Sequence, residues 1–320
     1  MNIVRVALAV PLPRFFDYLY SPHLTPIVGG RVLVPFGSQK RVGIVVDLPT
    51  SSDVAKEKLK PIIDVLDAES LFNSTTWDWL AWSANYYRAA LGDVLFQALP
   101  VKLRNGESAV KNDSTFWRIT DLGKQALESG ELKRAKKQIE ALSLLLTQDL
   151  EKGNNEISSA IWSALKGKDY VEEIIVPTEQ KSWQQALGDN PLVNLDNRLT
   201  LNKQQALAFS QLLFQEGFNV WLLEGVTGSG KTEIYLQYIE EVLKKGKQVL
   251  VLVPEIGLTP QTVRRFQARF NVEIDVLHSN LNDTQRLNVW ERARTGQSAI
   301  VIGTRSALFT QFSDLGLIIL

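Results

Sequence analysis

The first hundred residues alternate between short apolar runs and turn-forming residues. Four runs, at 2–8, 15–20, 31–37 and 41–48, are rich in branched and aromatic side chains and are separated by proline and glycine. This pattern predicts the strands of a small β-barrel or sandwich. A helix is expected next, because apolar residues recur there at helical spacing. They are Trp77, Leu80, Ala81, Ala84 and Tyr87. The aromatic side chains of Trp77 and Tyr87 are expected in the core.

The polar stretch at 106–114 predicts a linker that ends a first domain over residues 1–105. Two or three short helices are expected beyond it, followed by a strand pair that includes the extended run at 169–177. Their apolar faces consist of Ile139, Leu142, Leu145 and Leu146 in one helix, and of Ile157, Ile161 and Leu165 in the other. This order predicts a winged-helix domain over 115–180. Its basic cluster, Lys133, Arg134, Lys136 and Lys137, is either a solvated helix face or a set of phosphate contacts.

The apolar pattern changes from about residue 198 onwards. The runs at 219–225, 248–254, 298–303 and 315–320 are continuously apolar, as expected of parallel strands that are buried on both faces. Glycine or proline and then a helical stretch follow most of them. The C-terminal region, 198–320, is therefore predicted to be an α/β domain with a parallel sheet.

A phosphate-binding loop follows the first of these runs. Gly225, Gly230, Lys231 and Thr232 match the spacing G-x-x-x-x-G-K-[ST]. Glycines let consecutive backbone N–H groups surround a phosphate, lysine reaches the β- and γ-phosphates, and the threonine hydroxyl ligates magnesium. We predict catalytic roles for Lys231 and Thr232. The nucleotide contacts are assigned to Gly225, Val226, Thr227, Gly228, Ser229, Gly230, Lys231, Thr232 and Glu233.

Gln205, upstream of this loop, is a second candidate for the nucleotide site. A glutamine amide can pair with the edge of an adenine as donor and as acceptor. The alternative is an ordinary glutamine on a helix surface, and the spacing alone leaves both interpretations open.

Two further loops follow predicted strands. Thr259 is a predicted N-cap with Pro260 in the first helical position, and Gln261 and Arg264 lie in the helix that starts there. Thr304, Arg305 and Ser306 occupy the second loop. Such loops are either ordinary caps or contacts to the phosphates of a nucleic acid. Their position beside a nucleotide site favours DNA contacts, because a motor needs contacts that respond to the nucleotide.

Composition limits the alternatives. The 35 basic and 35 acidic residues balance, so DNA binding must depend on local clusters. The absence of cysteine and the presence of only two histidines argue against a zinc site built from this chain. The apolar N-terminus is interrupted by Arg5 and two prolines, which is atypical of a signal peptide. No apolar run reaches the roughly 18 residues of a membrane span. A cytoplasmic protein is expected.

Seven stretches, in order along essentially the whole chain, resemble the PriA (primosomal protein N′) family of bacterial replication-restart DNA helicases. They are VPLPRFFDYLY, RVLVPFG, GDVLFQALP, GVTGSGKTE, VPEIGLTPQT, VLHS and IVIGTRSALF. The resemblance implies a 3′-end DNA-binding domain, a winged-helix domain and the first RecA-like helicase lobe. It also implies an ATP- and Mg²⁺-dependent 3′→5′ helicase in the bacterial cytoplasm, associated with the nucleoid. The implied partners are forked and single-stranded DNA, single-strand-binding protein and the other primosomal proteins.

The resemblance also supplies a pocket for the 3′ end of the nascent strand. Its residues match Phe16, Asp17, Tyr18, Gly37 and Lys60. A carboxylate such as Asp17 can accept a hydrogen bond from a terminal hydroxyl but repels a phosphate. Phe16 and Tyr18 could stack on a base. Without the resemblance, the same stretch would be interpreted as a core strand.

The family continues after the strand at 315–320 into an Asp-Glu-Glu-His motif, a second lobe and a cysteine-rich zinc insertion. The sequence ends at Leu320, so these parts are expected outside it and the helicase lobe is expected to be incomplete. One alternative is that the chain alone is a fork-DNA-binding module without ATPase activity. A metabolite kinase or GTPase is a third alternative, which the missing Asn-Lys-x-Asp motif and the N-terminal strands disfavour.

Overall fold

The computed structural model describes residues 2–109, 114–129, 132, 135–152, 157–176, 181–213 and 217–320. The chain divides into two compact units, Met1–Ala109 with Gln180–Leu320, and Val110–Glu179. Part of the predicted linker, residues 110–113, and the first two residues of the basic cluster, 133 and 134, lie outside the described residues.

The N-terminal strands predicted from the sequence are confirmed. They are β1 (Ile3–Ala7), β2 (Phe16–Leu19), β3 (Arg31–Phe36), β4 (Gln39–Asp47) and a short β5 (Asp64–Val65). They form one antiparallel sheet in the order β2-β1-β4-β3-β5. Gly37, with φ +60°, starts the two-residue turn between β3 and β4. Leu19 N–H donates to Lys60 O (2.9 Å) and Ile62 N–H to Leu19 O (2.8 Å), which draws β2 towards the segment before β5.

The two faces of this sheet have different partners. On one face the side chains of the strands pack against each other, in a cluster that contains Val4, Val6, Val32, Val34 and Tyr18. The other face is covered by three helices, α1 (Ser74–Tyr86), α2 (Leu91–Gln97) and α3 (Val101–Arg104). In α1, Leu80 and Ala84 are buried as predicted. The prediction that Tyr87 lies in the core is wrong, because this residue caps the helix beyond its last packed turn.

Arg31 is fully buried in this first region. It donates from Nε and Nη2 to Asp67, at 2.8 Å each, and from Nη1 to the carbonyls of Leu103 (2.6 Å) and Glu107 (2.8 Å). Ala109 is also buried in the core beneath the helices. The first residues of the predicted linker are therefore part of the packed unit.

The second unit has its own core around Leu142, Leu165 and Trp162. Its elements are β6 (Ser114–Ile119), α4 (Asp121–Glu128), α5 (Lys136–Leu145), β7 (Leu150–Glu151), α6 (Ser159–Lys166) and β8 (Val171–Val176). The strands form an antiparallel sheet in the order β7-β6-β8. The predicted helices, at α5 and α6, and the extended run at β8 are confirmed. The prediction that a strand pair follows the helices is wrong, because β8 pairs with β6, which precedes them. Leu146, predicted on the apolar face of α5, is exposed because it caps that helix.

The C-terminal region is the predicted α/β domain. It contains α7 (Trp183–Leu187), α8 (Lys203–Leu213), α9 (Lys231–Lys244), β9 (Gln248–Leu252), α10 (Pro260–Arg269), β10 (Ile274–Leu277), α11 (Asp283–Arg294), β11 (Ile300–Gly303) and β12 (Leu315–Ile319). The four strands are parallel, in the order β10-β11-β9-β12. Alternate residues of β9 and β11 face α9 and α10 on one side and α11 on the other, so both faces are covered.

The strand predicted at 219–225 is wrong. Residues 218–226 contain no helix or strand, and Val220 and Leu222 are 82% and 90% exposed. An apolar run indicates that a segment prefers burial, but strand formation also requires a neighbouring strand with an open edge. In the structure the segment pairs with neither edge strand of the four-stranded sheet, β10 or β12.

The N-terminal and C-terminal regions share a hydrophobic core, which we call the seam. Trp290 of α11 is buried among Phe72, Leu80 and Leu95 beneath the first sheet. Trp79 and Phe309 pack with their ring centroids 5.6 Å apart. No helix among the described residues combines the length and apolarity needed to span a bilayer.

Candidate nucleotide-binding and DNA-binding sites

The phosphate loop leads directly into α9, as predicted. Gly228 and Gly230 have positive φ values of 80° and 83°, and Gly230 is the N-cap of the helix. Both conformations favour glycine because it has no Cβ. Lys231 Nζ donates to the carbonyls of Gly225 (2.5 Å) and Val226 (3.1 Å), so this side chain lies along the inside of the loop. The geometry is that of an anion-binding loop at a helix N-terminus.

Gln205 lies directly against this loop. Its Nε2 donates to Ser229 O at 2.9 Å, and a Cβ built on Gly230 would come within 2.3 Å of the same nitrogen. Reciprocal bonds with Asn202 fix the side chain at the start of α8 (Asn202 N to Gln205 Oε1, 2.9 Å; Gln205 N to Asn202 Oδ1, 3.0 Å). This placement favours a role at the nucleotide site over an ordinary surface position.

The two residues after Lys231 face different surroundings. Thr232 Oγ1 accepts a hydrogen bond from Tyr235 at 3.0 Å. Glu233, assigned above to the nucleotide, points inward instead, because its Oε1 accepts from Arg269 Nη2 (2.9 Å) and Gln237 Nε2 (2.8 Å). Arg269 is itself buried in this pair. The carboxylate of Glu233 therefore joins α9 to α10 and is not directed at the phosphate loop.

Next to this network is an open cavity of about 450 Å³. It is lined by Leu195, Arg198, Leu199, Thr200, Leu201 and Gln237. Gln237 Nε2 also donates to Leu199 O at 2.8 Å, so the segment that leads to α8 is attached to the helix of the phosphate loop.

The two loops predicted to contact DNA lie at the same edge of the parallel sheet. Thr259 Oγ1 accepts from Thr262 N (3.2 Å) and caps α10, which begins at Pro260 as predicted. Thr304 directly follows β11, whose last residue pairs with Leu252 of β9. The four remaining candidates of this group are exposed. They are Gln261, Arg264, Arg305 and Ser306.

Asp17 is largely buried, with a side chain that is 8% exposed. Its Oδ1 accepts from Arg5 Nε (2.8 Å), and its Oδ2 accepts from Arg5 Nη2 (3.0 Å) and Ser52 Oγ (2.6 Å). The hydrogen bonds from Arg5 lower the pKa of Asp17, the bond from Ser52 adds to this, and burial opposes it. The carboxylate is thus ionised at neutral pH, and three of its roughly four acceptor positions are used.

The predicted 3′-end residues do not all share one face. Strand alternation places Phe16 and Tyr18 with the inner cluster, where Phe16 meets Phe36 edge-on (centroids 5.2 Å apart), whereas Asp17 lies on the opposite face. Gly37 follows Phe36 directly, at the β3–β4 turn. Lys60 is exposed, and its carbonyl bonds to the end of β2. The contacts of Phe36 with Phe16 and of Lys60 O with Leu19 N bring the β3–β4 turn and the segment before β5 close to β2.

The sequence interpretation did not include the cations around this edge. The guanidinium groups of Arg14 and Arg41 lie 5.1 Å and 5.5 Å from the ring centroids of Phe16 and Phe36. Arg5 and Ser52, which donate hydrogen bonds to Asp17, were also missed. Arg5 could have been found, because a lone charged residue within an apolar strand usually has a partner on a neighbouring strand.

Comparison with known proteins identifies the class of protein that this fold and these sites define. Residues 5–100 match the family model described as the 3′ DNA-binding domain (3′BD) of PriA, and residues 202–320 match the DEAD/DEAH box helicase family. The N-terminal region is thus similar to a DNA-binding domain for 3′ ends, and the C-terminal region is similar to a helicase domain.

The more specific similarity is to replication restart protein PriA, as the sequence resemblance implied. The protein of that name from Haemophilus influenzae is 75% identical over all 320 residues of the chain. Those of Buchnera aphidicola (subsp. Acyrthosiphon pisum) and Synechocystis are 35% and 33% identical, over 100% and 98% of the chain. The chain spans 44%, 43% and 47% of these three proteins, so it corresponds to somewhat less than half of their length.

Proposed function

We propose that the chain is the N-terminal part of an ATP-dependent DNA helicase of replication restart. The protein would recognise stalled or abandoned forks through the nascent 3′ end, unwind with 3′→5′ polarity and initiate primosome assembly. The 75% identity over the whole chain to a replication restart protein carries this proposal. Its partners would be single-stranded DNA, single-strand-binding protein and other primosomal proteins, at the nucleoid in the bacterial cytoplasm.

The nucleotide site would use the loop residues as follows. The phosphates of ATP would replace the carbonyls of Gly225 and Val226 as the partners of Lys231 Nζ. The hydroxyl of Thr232, which accepts from Tyr235, would be free to ligate Mg²⁺ through its other lone pair. Bound Mg²⁺ neutralises charge on the β- and γ-phosphates. Gln205, held against Ser229, is placed to contact the base or the loop.

Substitution of the loop lysine tests this assignment. Lys231→Ala removes the cation that would contact the phosphates, so binding of a fluorescent ATP analogue should be lost while binding of forked DNA stays unchanged. Lys203→Ala, an exposed lysine at the start of α8, is the matched control. Retained nucleotide binding in Lys231→Ala would reject the assignment.

We also propose that the 3′-terminal nucleotide binds around the outer edge of β2. Leu19 N–H and C=O bond outward to Lys60 and Ile62, so by two-residue alternation the backbone of Asp17 points to the same edge. A terminal hydroxyl could donate to Asp17 Oδ1, which accepts only Arg5 Nε among the described contacts. The ring of Phe16 and the nearby guanidinium of Arg14 would hold the base and a phosphate.

The end preference is measured with forks whose nascent strand carries a 3′-hydroxyl or a 3′-phosphate. Hydrogen bonds to charged groups are worth about 1.5–3 kcal/mol, so Asp17→Asn should reduce the preference for the hydroxyl about ten- to hundredfold. Asp47→Asn is the control, because Asp47 also pairs with Arg5 (3.7 Å) but is exposed. An unchanged preference in Asp17→Asn, or an equal loss in Asp47→Asn, would contradict the proposal.

A second candidate is that this chain by itself binds forks without hydrolysing ATP. The observation that favours it is the unpaired segment 218–226, which leaves the phosphate loop supported by α8 and α9 but by no preceding strand. Phosphate release by the chain with forked DNA measures this directly. Turnover that Lys231→Ala abolishes would exclude this candidate.

Two finer assignments remain part of the proposal. The unit of three helices and the β7-β6-β8 sheet would be a winged-helix domain. Zinc would belong to the part of the relatives outside this chain, because the chain contains no cysteine. Among the described residues there is also no cluster of three or more His, Asp or Glu side chains suited to a metal ion.

A further inference from the structure

A buried ion pair joins the helix of the phosphate loop to a helix whose start is predicted to contact DNA. Arg269, the last residue of α10, is 1% exposed. Its Nη2 donates to Glu233 Oε1 (2.9 Å) in the first turn of α9, and its Nη1 donates to Asn197 O (2.7 Å). Thr259 caps the opposite end of α10. One helix therefore connects the ion pair to a candidate DNA contact.

A second carboxylate lies close to Arg269. Glu240, two turns after Glu233 on the buried side of α9, has its Oε2 4.0 Å from Arg269 Nη2. An approach of about 1 Å would turn this distance into a hydrogen bond. Glu240 also accepts from Arg198 Nε (3.2 Å) and pairs with Lys244 (2.8 Å). A small shift of α10 along α9 is thus enough to change the carboxylate that Arg269 bonds.

The hydrogen bonding of Arg269 is incomplete. Its Nε is buried and has no hydrogen-bond partner among the described residues. Buried ion pairs add little net stability compared with apolar side chains, and an unsatisfied donor reduces this further. Stability alone therefore does not account for the pair, and an arrangement with a second acceptor nearby suits an element with two states.

The charge of Glu233 affects any nucleotide in the loop. Glu233 lies two residues after Lys231, at the positive end of α9 that would receive the phosphates. An uncompensated carboxylate there repels a triphosphate, whereas a carboxylate paired with Arg269 is largely neutralised. Bound phosphates therefore favour the pairing of Arg269 with Glu233 over its pairing with Glu240.

We propose that Glu233, Glu240 and Arg269 are positioning residues that couple nucleotide binding to DNA binding. A nucleotide holds Arg269 at Glu233, and DNA at the start of α10 acts on the same equilibrium through that helix. Each ligand then changes the affinity for the other by the same factor. The coupling rests on the proposed function, in that ATP binds the loop and DNA contacts Thr259 and its neighbours.

The test uses the whole 320-residue chain, a fluorescent ATP analogue and an oligo(dT) that ends in a 3′-phosphate, so that the 3′-end pocket contributes little. In the parent chain, a saturating concentration of the oligonucleotide should change the affinity for the analogue about fivefold or more. A saturating concentration of the analogue should change the affinity for the oligonucleotide by the same factor.

Two variants of nearly unchanged shape hold Arg269 at opposite partners. Among the described residues, Glu233→Gln leaves Glu240 as the carboxylate within ion-pair distance, and Glu240→Gln leaves Glu233. Both should abolish the coupling. Without nucleotide, Glu240→Gln should bind the oligonucleotide as the parent chain does with nucleotide, and Glu233→Gln should shift this affinity in the opposite direction. A purely structural role would instead weaken the binding of both ligands together.

Glu241→Gln is the matched control. Glu241 pairs with Lys244 at 2.8 Å, as Glu240 does, but its side chain is 33% exposed and lies one position further round the helix. This variant should keep the coupling of the parent chain. Loss of coupling in Glu241→Gln as well would show that any charge change on α9 has this effect, and would overturn the proposal.

Independent binding of the two ligands to the parent chain would overturn the coupling while the proposed function stands. A parent chain that binds no analogue would refute both. Parent-like coupling in Glu233→Gln and Glu240→Gln would also overturn the proposal. If a variant fails to fold, hydrogen exchange of the parent chain decides: the analogue should change exchange in the peptides that cover 259–264, and unchanged exchange there would refute the link through α10.

Discussion

The buried pair of Arg31 and Asp67 allows a quantitative prediction for the stability of the N-terminal domain. Replacing Arg31 by methionine keeps a long apolar stem but removes the guanidinium. Asp67 would then lose its bonds to Nε and Nη2, and the carbonyls of Leu103 and Glu107 would lose theirs to Nη1. Breaking a buried ion pair by removing one partner costs about 3–5 kcal/mol. The pair connects β3 to the end of α3, so the whole domain should be destabilised.

Hydrogen exchange of the β3–β4 peptides measures this loss locally, which is preferable because the chain has two compact units. The predicted cost corresponds to exchange that is about a hundredfold faster or more. Adding Asp67→Leu to Arg31→Met should recover part of the stability by removing the unpaired carboxylate. Arg265→Met, an exposed arginine of α10, is the control. If Arg31→Met exchanges no faster than this control, the assumed cost of the unpaired carboxylate is refuted.

Three further predictions follow from single contacts. Because Arg5 lowers the pKa of Asp17, the ionised carboxylate stabilises the fold at neutral pH, and this contribution is lost as the pH falls through the lowered pKa. In Asp17→Asn, the urea midpoint of unfolding should therefore fall less steeply than in the parent chain between pH 5 and pH 2. An equally steep fall in both chains would contradict this. Thr259→Ala removes the N-cap of α10 and should cost about 1 kcal/mol in urea unfolding, whereas Thr259→Ser should not. Gln205→Ala should weaken binding of an ATP analogue severalfold in a titration, and equal weakening by its exposed neighbour Gln204→Ala would show that the contact to Ser229 is irrelevant.

The strands of the first domain and the C-terminal α/β order were predictable because their signals are local. Glycine with positive φ at Gly37, the cap at Thr259 and the phosphate loop before Lys231 depend on a few neighbouring residues. The 3′-end residues required the family resemblance, since a Phe-Asp-Tyr run in a strand is also compatible with an ordinary core.

The remaining features depend on tertiary partners that no local pattern specifies. Arg31 and Arg269 look like surface residues in the sequence, yet each is buried beside an acidic residue distant in the chain. Glu233, next to the phosphate loop, accepts a hydrogen bond from the buried Arg269, and this partner could not be predicted from the local sequence. The exposure of Tyr87 depends on where α1 ends, which helical periodicity does not determine.

The seam between the two regions limits how these proteins can be taken apart or recombined. Asn73 donates to Phe312 O (3.2 Å), and Trp290 fills space beneath the N-terminal sheet. Expressing the C-terminal region without the first 109 residues would expose the rings of Trp290 and Phe309 to water and would favour aggregation. Chimaeras between relatives should therefore exchange the N-terminal and the C-terminal side of this contact together.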